Sequence, residues 1–335
     1  MGRDLAIDLG SANTLVYRQG DGVVFDQPCV VAVHAGTGEV LAMGEEAWQL
    51  IGGDSGSVVA IRPLRLGTMT EFDITQKMLD VVMRTVGVTR FPRPRMLVAV
   101  PSMASEVEKR AIQEALRFAG VRQVTMVEEP LAAAIGAGLP VHEPMGNLIV
   151  DIGGGRSEMA VVSMGGVVSG RSAQVGGFDL DAAVQRHIRD EYGVAIGEKA
   201  AEEIKIAIGS AFPTSSGKAA VVTGRELATG NTVEATVSEA EVRQALGGPI
   251  HEIVEAARFT LAEAPPELTH DVLETGMFLT GGGSLLRGLD MLLAQECEVP
   301  VHVVERPLET VAVGAGRMLE HLEDYRSAFQ LVRRR

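Results

Sequence analysis

Residues 148–158 read Leu-Ile-Val-Asp-Ile-Gly-Gly-Gly-Arg-Ser-Glu. Apolar residues carry the backbone to Asp151, three glycines permit a sharp turn, and a second alternating run, Met159 to Ser163, leads away. Glycine accepts positive φ without steric cost, so Gly153, Gly154 and Gly155 can bring bare backbone N–H groups against an anion. Asp151 would repel that anion unless a divalent cation, Mg²⁺ with its retained waters, sat between them. The stretch therefore predicts metal-bridged phosphate binding on a hairpin. Alone, it equally fits an Asp-Gly turn selected for conformation.

A second copy changes the balance. Residues 5–16 read Leu-Ala-Ile-Asp-Leu-Gly-Ser-Ala-Asn-Thr-Leu-Val, again a strand, an acid (Asp8), a glycine-containing turn and a departing strand. Both copies continue into Gly-Val-Val, at Gly22 to Val24 and Gly166 to Val168. An internal repeat of this kind predicts two similar lobes facing one ligand.

Composition narrows the classes. The chain has 335 residues, enough for two domains, and a formal net charge of −14 that argues against a general nucleic-acid surface. No run of 18 apolar residues exists, so neither a transmembrane helix nor a signal peptide is expected. Two cysteines, Cys29 and Cys297, read as free thiols in apolar surroundings, and the seven histidines show no metal-ligand spacing.

Along the chain, strands are expected at Cys29 to Val33, Glu39 to Met43, Met96 to Val100 and Val124 to Val127. Asp73 with Gln76 is expected to cap a helix through Ile74, Met78, Val82 and Val86; Ser105 with Glu108 caps one buried through Val107, Ala111, Ala115 and Ala119. In the second half, helices are expected after Gly176-Gly177, at Glu198 to Ile208, from Ser238 with a kink or break at Pro249, from about Leu285, and at Leu308 to Leu322.

Taken together these segments resemble the actin, sugar-kinase and heat-shock chaperone ATPase superfamily, and within it the MreB/Mbl family of bacterial actin homologues. The resemblance rests on residues 8–17 (DLGSANTLVY), 60–67 (AIRPLRLG), 100–111 (VPS followed by EVEKRA), 128–139 (EEPLAAAIGAGL), 151–155 (DIGGG), 202–211 (EEIKIAIGSA) and 279–289 (LTGGGSLLRGL). It implies an α/β actin-like ATPase fold: two lobes, each a mixed β-sheet flanked by helices, with nucleotide in the cleft. The expected first lobe is 1–143 plus 312–335, with a smaller insertion at about 30–67. The expected second is 144–311, with an insertion at about 180–248.

The resemblance also implies roles. Gly10, Ser11, Ala12, Asn13 and Thr14 would form the first phosphate loop and Gly153 to Gly155 the second, with Asp8 and Asp151 holding the water shell of Mg²⁺. Glu129 would orient or deprotonate the attacking water, in keeping with in-line phosphoryl transfer; Glu128 competes for that role. Glu202 and Lys205 would contact ribose and base, against the alternative of an exposed helical ion pair. Gly281, Gly282 and Gly283, with Leu285 beyond them, would form the adenosine loop.

Where the family usually shows Thr-Thr after the glycines, this chain has Arg156-Ser157. Three readings stand: the missing hydroxyl slows hydrolysis while binding persists, Arg156 clamps phosphate oxygens, or its guanidinium turns to solvent or a neighbouring subunit. The function so implied is that of a cytoplasmic ATP-binding protein, a weak ATPase that polymerises head to tail and in antiparallel pairs on the inner membrane face. It would organise peptidoglycan synthesis, cell shape or spore-wall formation with wall-elongation proteins of the MreC, MreD, RodZ and SEDS type. The alternative is a nonpolymerising ATPase, a small-molecule kinase or chaperone-like module. The chain opens Met1-Gly2-Arg3-Asp4 without the amphipathic helix of many relatives, so the candidate membrane contact is the loop Val88 to Pro94, where Phe91 lies among Arg90, Arg93 and Arg95.

Overall fold

The structure is a computed structural model and describes residues 4–50, 57–66, 68–88, 93–213 and 217–325. The chain opens with a meander of β1 (Leu5–Leu9), β2 (Asn13–Arg18) and β3 (Gly22–Pro28). A small unit follows: β4 (Val31–His34), β5 (Val40–Met43), α1 (Glu45–Leu50), β6 (Val58–Ile61), and the short pair β7 (Leu64–Arg65) and β8 (Thr68–Met69). The chain then returns through α2 (Phe72–Thr85), β9 (Arg95–Val100), α3 (Glu106–Phe118), β10 (Gln123–Glu128) and α4 (Glu129–Gly136).

The second half repeats the plan with β11 (Asn147–Ile152), β12 (Ser157–Ser163), β13 (Gly166–Ala173) and α5 (Gly177–Tyr192). Then come β14 (Val194–Ala195), α6 (Glu198–Ile208), β15 (Ala219–Glu226), β16 (Thr232–Ser238), α7 (Glu239–Glu263) and α8 (Pro266–Thr275). The chain closes with β17 (Met277–Thr280), a 3₁₀ turn at Gly282–Leu285, α9 (Leu289–Cys297), β18 (Val301–Val303) and α10 (Thr310–Glu320).

The repeat read in the sequence is a repeat of topology. One sheet runs β3-β2-β1-β9-β10 and the other β13-β12-β11-β17-β18. In each, the meander is antiparallel and the last two strands lie parallel to the first. Asp8 and Asp151 each occupy the penultimate residue of the central strand.

Burial explains the local sequence. Leu5, Ile7 and Leu9 pack with α2 and α3, whereas Ala6 faces a core shared by both sheets. That shared core sandwiches α4 and α10 between Leu97 and Ala99 on one side and Ile149, Ala160 and Val162 on the other. Helices cover both faces of β9, which is why Met96 to Val100 is a continuous apolar run. The two sandwiched helices touch backbone to backbone: a Cβ on Gly136 would collide with the Thr310 carbonyl, and one on Gly314 with that of Ala132. This packing sets the start of α4, and with it Glu129, at the floor between the two lobes.

Several expectations change. Asp73 does not cap α2, whose N-cap is Glu71 without a side-chain bond; Asp73 sits in the first turn, where its charge suits the helix dipole. The Ser105–Glu108 capping box forms, but Val107 is 79% exposed and the buried face carries Ile112, Ala115 and Leu116. Pro249 does not break α7, which continues to Glu263 with Leu246, Ile250 and Ile253 buried on both sides of it. After Gly281 the chain makes a 3₁₀ turn, and α9 starts only at Leu289. Cys29 is buried and Cys297 half-buried, both free. Phe91 and Arg90 lie outside the described residues. Among the described residues no helix is long and apolar enough to cross a membrane.

Candidate functional site

The two hairpins converge on a cavity of about 450 Å³ between the lobes. From the first hairpin, Asp8, Gly10, Ser11, Ala12 and Asn13 line it; from the second, Asp151, Gly153, Gly154, Gly155 and Arg156. Glu129 joins them at the floor, Glu202 and Lys205 from α6, and Gly281, Gly282, Gly283 and Leu285 from the turn after β17. Thr14 does not line it: its side chain is buried beneath β2 and faces a separate cavity beside α2. Glu128 likewise stays out, as the last residue of β10.

Glycine is needed here for a reason other than the one expected. None of Gly153, Gly154 and Gly155 has a positive φ; among the site glycines only Gly281 does, at +76°. The requirement is close approach. A Cβ on Gly154 would lie 2.6 Å from the Cβ of Ala12, and one on Gly155 3.0 Å from Ser11 Oγ. The two turns touch across the cleft, and any side chain would push the lobes apart. Gly153 N–H donates to the Arg156 carbonyl at 2.9 Å to close its turn. The first N–H groups of α5, on Gly177 and Phe178, donate to the carbonyls of Gly153 and Gly154 at 3.0 and 2.8 Å.

Acid groups crowd this cleft, and Asp8, Asp151, Glu129 and Glu158 are held above their ordinary pKa. Burial, then Asp26, pushes Asp8 up to about 7; burial, then Asp8 and Glu158, pushes Asp151 up to about 8. Burial, then Glu158, Asp8 and Asp151, raises Glu129 well above the carboxylate range. Glu158, opposite Asp151 on β12, is also raised by burial, partly offset by bonds from Ser102 and Arg156. Such a set is electrostatically frustrated unless a cation enters, and two half-buried aspartates lining one cavity have the donor chemistry of a divalent-cation site.

The structure decides Arg156 more narrowly than the sequence does. Its side chain is 16% exposed, so it does not turn to solvent, and Nη1 lies 3.4 Å from Glu158 Oε1. Its Nε–H is buried without a hydrogen-bond partner among the described residues while the residue lines the cavity. An orphaned guanidinium N–H beside glycine turns fits an anionic ligand. Ser102 braces the pair, its N–H and hydroxyl both donating to Glu158 Oε2 at 3.2 Å.

Glu202 and Lys205 do not pair with each other as an exposed helical couple. Lys205 Nζ lies 2.8 Å from Asp181 Oδ1, with the side chains 14% and 8% exposed, and donates to the Gly177 carbonyl. Asp181 is pushed up to about 6, chiefly by burial, with Lys205 pulling it back. Asp181 and Phe178, which line the cavity, and Glu158, which pairs with the lining residue Arg156, were missed by motif reading. The hairpin register would have found Glu158, seven residues beyond Asp151 and directly opposite it; Asp181 needed the crossing of α5 and α6. Ile206, Leu308 and Leu285 supply apolar surface at the other end, suited to a planar base.

A sequence profile described as MreB/Mbl protein matches residues 2–327. The cell shape-determining protein MreB of Escherichia coli strain K12 is 47% identical over 326 residues, 96% of this chain and 94% of that protein. The cell shape-determining protein Mbl of Bacillus cereus is 43% identical over 322 residues, 96% of this chain and 97% of that one. Among solved structures, MreB5 of Spiroplasma citri bound to ADP superposes with a TM-score of 0.92 at 30% identity, covering 97% of this chain and 98% of that one.

Proposed function

The chain belongs to the MreB/Mbl family, and from that premise we propose that it is an ATP-binding actin homologue whose nucleotide sits between the two glycine turns. The observation that carries this reading is the convergence of Asp8, Asp151, Glu129, Glu202, Lys205 and both glycine turns on one interlobe cavity. The base lies against Leu285 and Gly281 to Gly283, and the ribose near Glu202 and Lys205. The phosphates lie along Gly10 to Asn13 and Gly153 to Gly155, with Arg156 Nε–H directed at their oxygens. Asp8 and Asp151 would hold Mg²⁺, which would supply the charge compensation that the acid cluster lacks.

Glu129 orients the attacking water and takes its proton, the one proton transfer that in-line cleavage of a γ-phosphate requires of the protein. Arg156, bonded to Glu158, stands where a threonine hydroxyl is usual, and hydrolysis is accordingly slow. On the same premise the chain polymerises head to tail into paired filaments, lies against the inner face of the cytoplasmic membrane, and organises peptidoglycan synthesis with MreC-, MreD- and RodZ-type partners. A head-to-tail contact whose rotation does not close generates such a fibre. Sedimentation of the purified chain with ATP and Mg²⁺ tests this. A filament former pellets increasingly with concentration, and a chain that stays in the supernatant at all concentrations is a nonpolymerising ATPase instead.

A further inference from the structure

Among the described residues of the 60–67 motif, residues 60–66, none lines the cavity, yet Arg62 bridges the lobes. Arg62, just past β6 in the first lobe's small unit, extends its side chain across to the second lobe with only 13% of it exposed. Its guanidinium carbon stands 4.2 Å from the ring centroid of Phe178, at the start of α5, and 5.2 Å from that of Trp48 on α1. Arg62 Nη2 also donates to Glu198 Oε2 at 3.3 Å, at the start of α6. A few residues on, Leu66 adopts φ +51°, and its backbone nitrogen lies where a Cβ on Gly155 would approach within 3.2 Å. One short segment is thus laid against the second phosphate turn and pinned at Arg62.

We propose that Arg62 is a positioning residue for the nucleotide: it clasps the lobes shut by gripping the N-terminal ends of α5 and α6, two helices that line the cavity beside the second glycine turn. This inference rests on the nucleotide-binding reading above. Phe178, under the guanidinium, lines the cavity, and α5 goes on to present Asp181, whose carboxyl Arg62 also helps hold ionised. On α6, Glu198 lies one turn before Glu202 and two turns before Lys205, both of which face the same ligand. A ligand that fixes α5 and α6 in the closed arrangement favours the clasp, and by reciprocity the clasp raises affinity for the ligand by the same factor. Arginine suits the task because a planar guanidinium can lie on two rings while keeping an N–H for a carboxylate. Trp48, the chain's one tryptophan, lies on the clasp and reports on it.

The test uses the full chain, Mg²⁺ and a fluorescent ATP analogue, with Trp48 emission followed on addition of unlabelled ATP. Wild type is expected to bind and to change Trp48 emission. Arg62→Ala should bind about tenfold more weakly and lose most of the nucleotide-dependent emission change, whereas Arg62→Lys, keeping a cation over the rings, should lose about threefold. Glu198→Gln, remote from the ligand, should weaken binding by less than Arg62→Ala, and its effect should vanish in the double variant. If wild type does not bind the analogue, the nucleotide reading and this inference fall together. If wild type binds and Arg62→Ala, folded by circular dichroism, matches it within twofold with the same Trp48 response, the inference alone is overturned. Should Arg62→Ala not fold, Arg62→Lys and Glu198→Gln decide: wild-type affinity and emission change in both overturn it.

Discussion

Replacing Lys205 by methionine should destabilise the nucleotide-free protein by an amount that grows with pH. Asp181 has a folded pKa of about 6 against an ordinary 3.8 even with Lys205 2.8 Å away. Its folded state therefore binds a proton more tightly than its unfolded state. The stabilisation it gives is complete below about pH 4 and is lost as pH rises to about 6, a loss of about 3 kcal/mol at about 1.36 kcal/mol per pH unit. Above pH 6 the wild-type loss levels off. Without Lys205 the carboxyl stays protonated to higher pH and the loss continues. At pH 7 the disfavour spans the interval from 3.8 to 7, about 4.4 kcal/mol, so the variant is worse than wild type by about 1.4 kcal/mol. With the carboxyl still protonated at pH 8 the difference there is about 2.7 kcal/mol, and at pH 5.5 it is close to zero.

The lost bond to the Gly177 carbonyl adds about 1 kcal/mol at every pH. For a chain of 335 residues, unfolding entropy of about 2.1 cal/mol/K per residue makes 1.4 kcal/mol about 2 °C in Tm and about 2.7 kcal/mol about 4 °C. Differential scanning fluorimetry of nucleotide-free protein at pH 5.5, 7 and 8, on wild type, Lys205→Met and Lys205→Met/Asp181→Asn, measures this directly. The double variant should show a pH-independent offset. A penalty for Lys205→Met that is the same at pH 5.5 and 8, or one that Asp181→Asn fails to flatten, would refute the reasoning that the pair is what holds Asp181 ionised.

Asp151→Asn should reduce affinity for a fluorescent ATP analogue by about 10- to 100-fold in Mg²⁺ and much less in EDTA; equal losses in both buffers would remove Asp151 from the metal side of the site. Glu129→Gln should keep nucleotide binding and slow single-turnover cleavage by about 100-fold or more, and a cleavage rate equal to wild type would pass the role to another group. Arg156→Thr strips Glu158 of its guanidinium partner, so Tm should fall by about 4 to 7 °C while single-turnover cleavage changes; unchanged cleavage would exclude Arg156 from the mechanism. Phe91→Ala should lower flotation with anionic liposomes, and equal flotation would discard that loop as the membrane contact.

The duplicated plan was legible in the chain because its signal is local. Each copy places an acid one residue before the end of a buried strand and follows it with small residues and a returning strand, and Asp8 and Asp151 take equivalent positions in two sheets of one topology. The capping boxes at Ser105 and Ser238 were equally readable, since a side chain three residues away completes each. The sequence thereby determined the family, the two-lobed actin-like fold and most of the cavity lining. It did not reveal that the glycines at 153–155 serve contact across the cleft rather than positive φ, nor that Arg156 answers Glu158, nor that Lys205 pairs with Asp181 on another helix instead of Glu202 on its own. Thr14, within the first motif, drops out of the site because strand alternation turns its side chain to the opposite face. The glycine contact depends on how the two lobes meet, and the Lys205–Asp181 pair on how α5 crosses α6. Backbone preference and hydrophobic period act over a few residues and are written in the chain, whereas the partner of a buried charge is whichever opposite charge the packing of distant elements brings within 4 Å, and only the tertiary structure decides that.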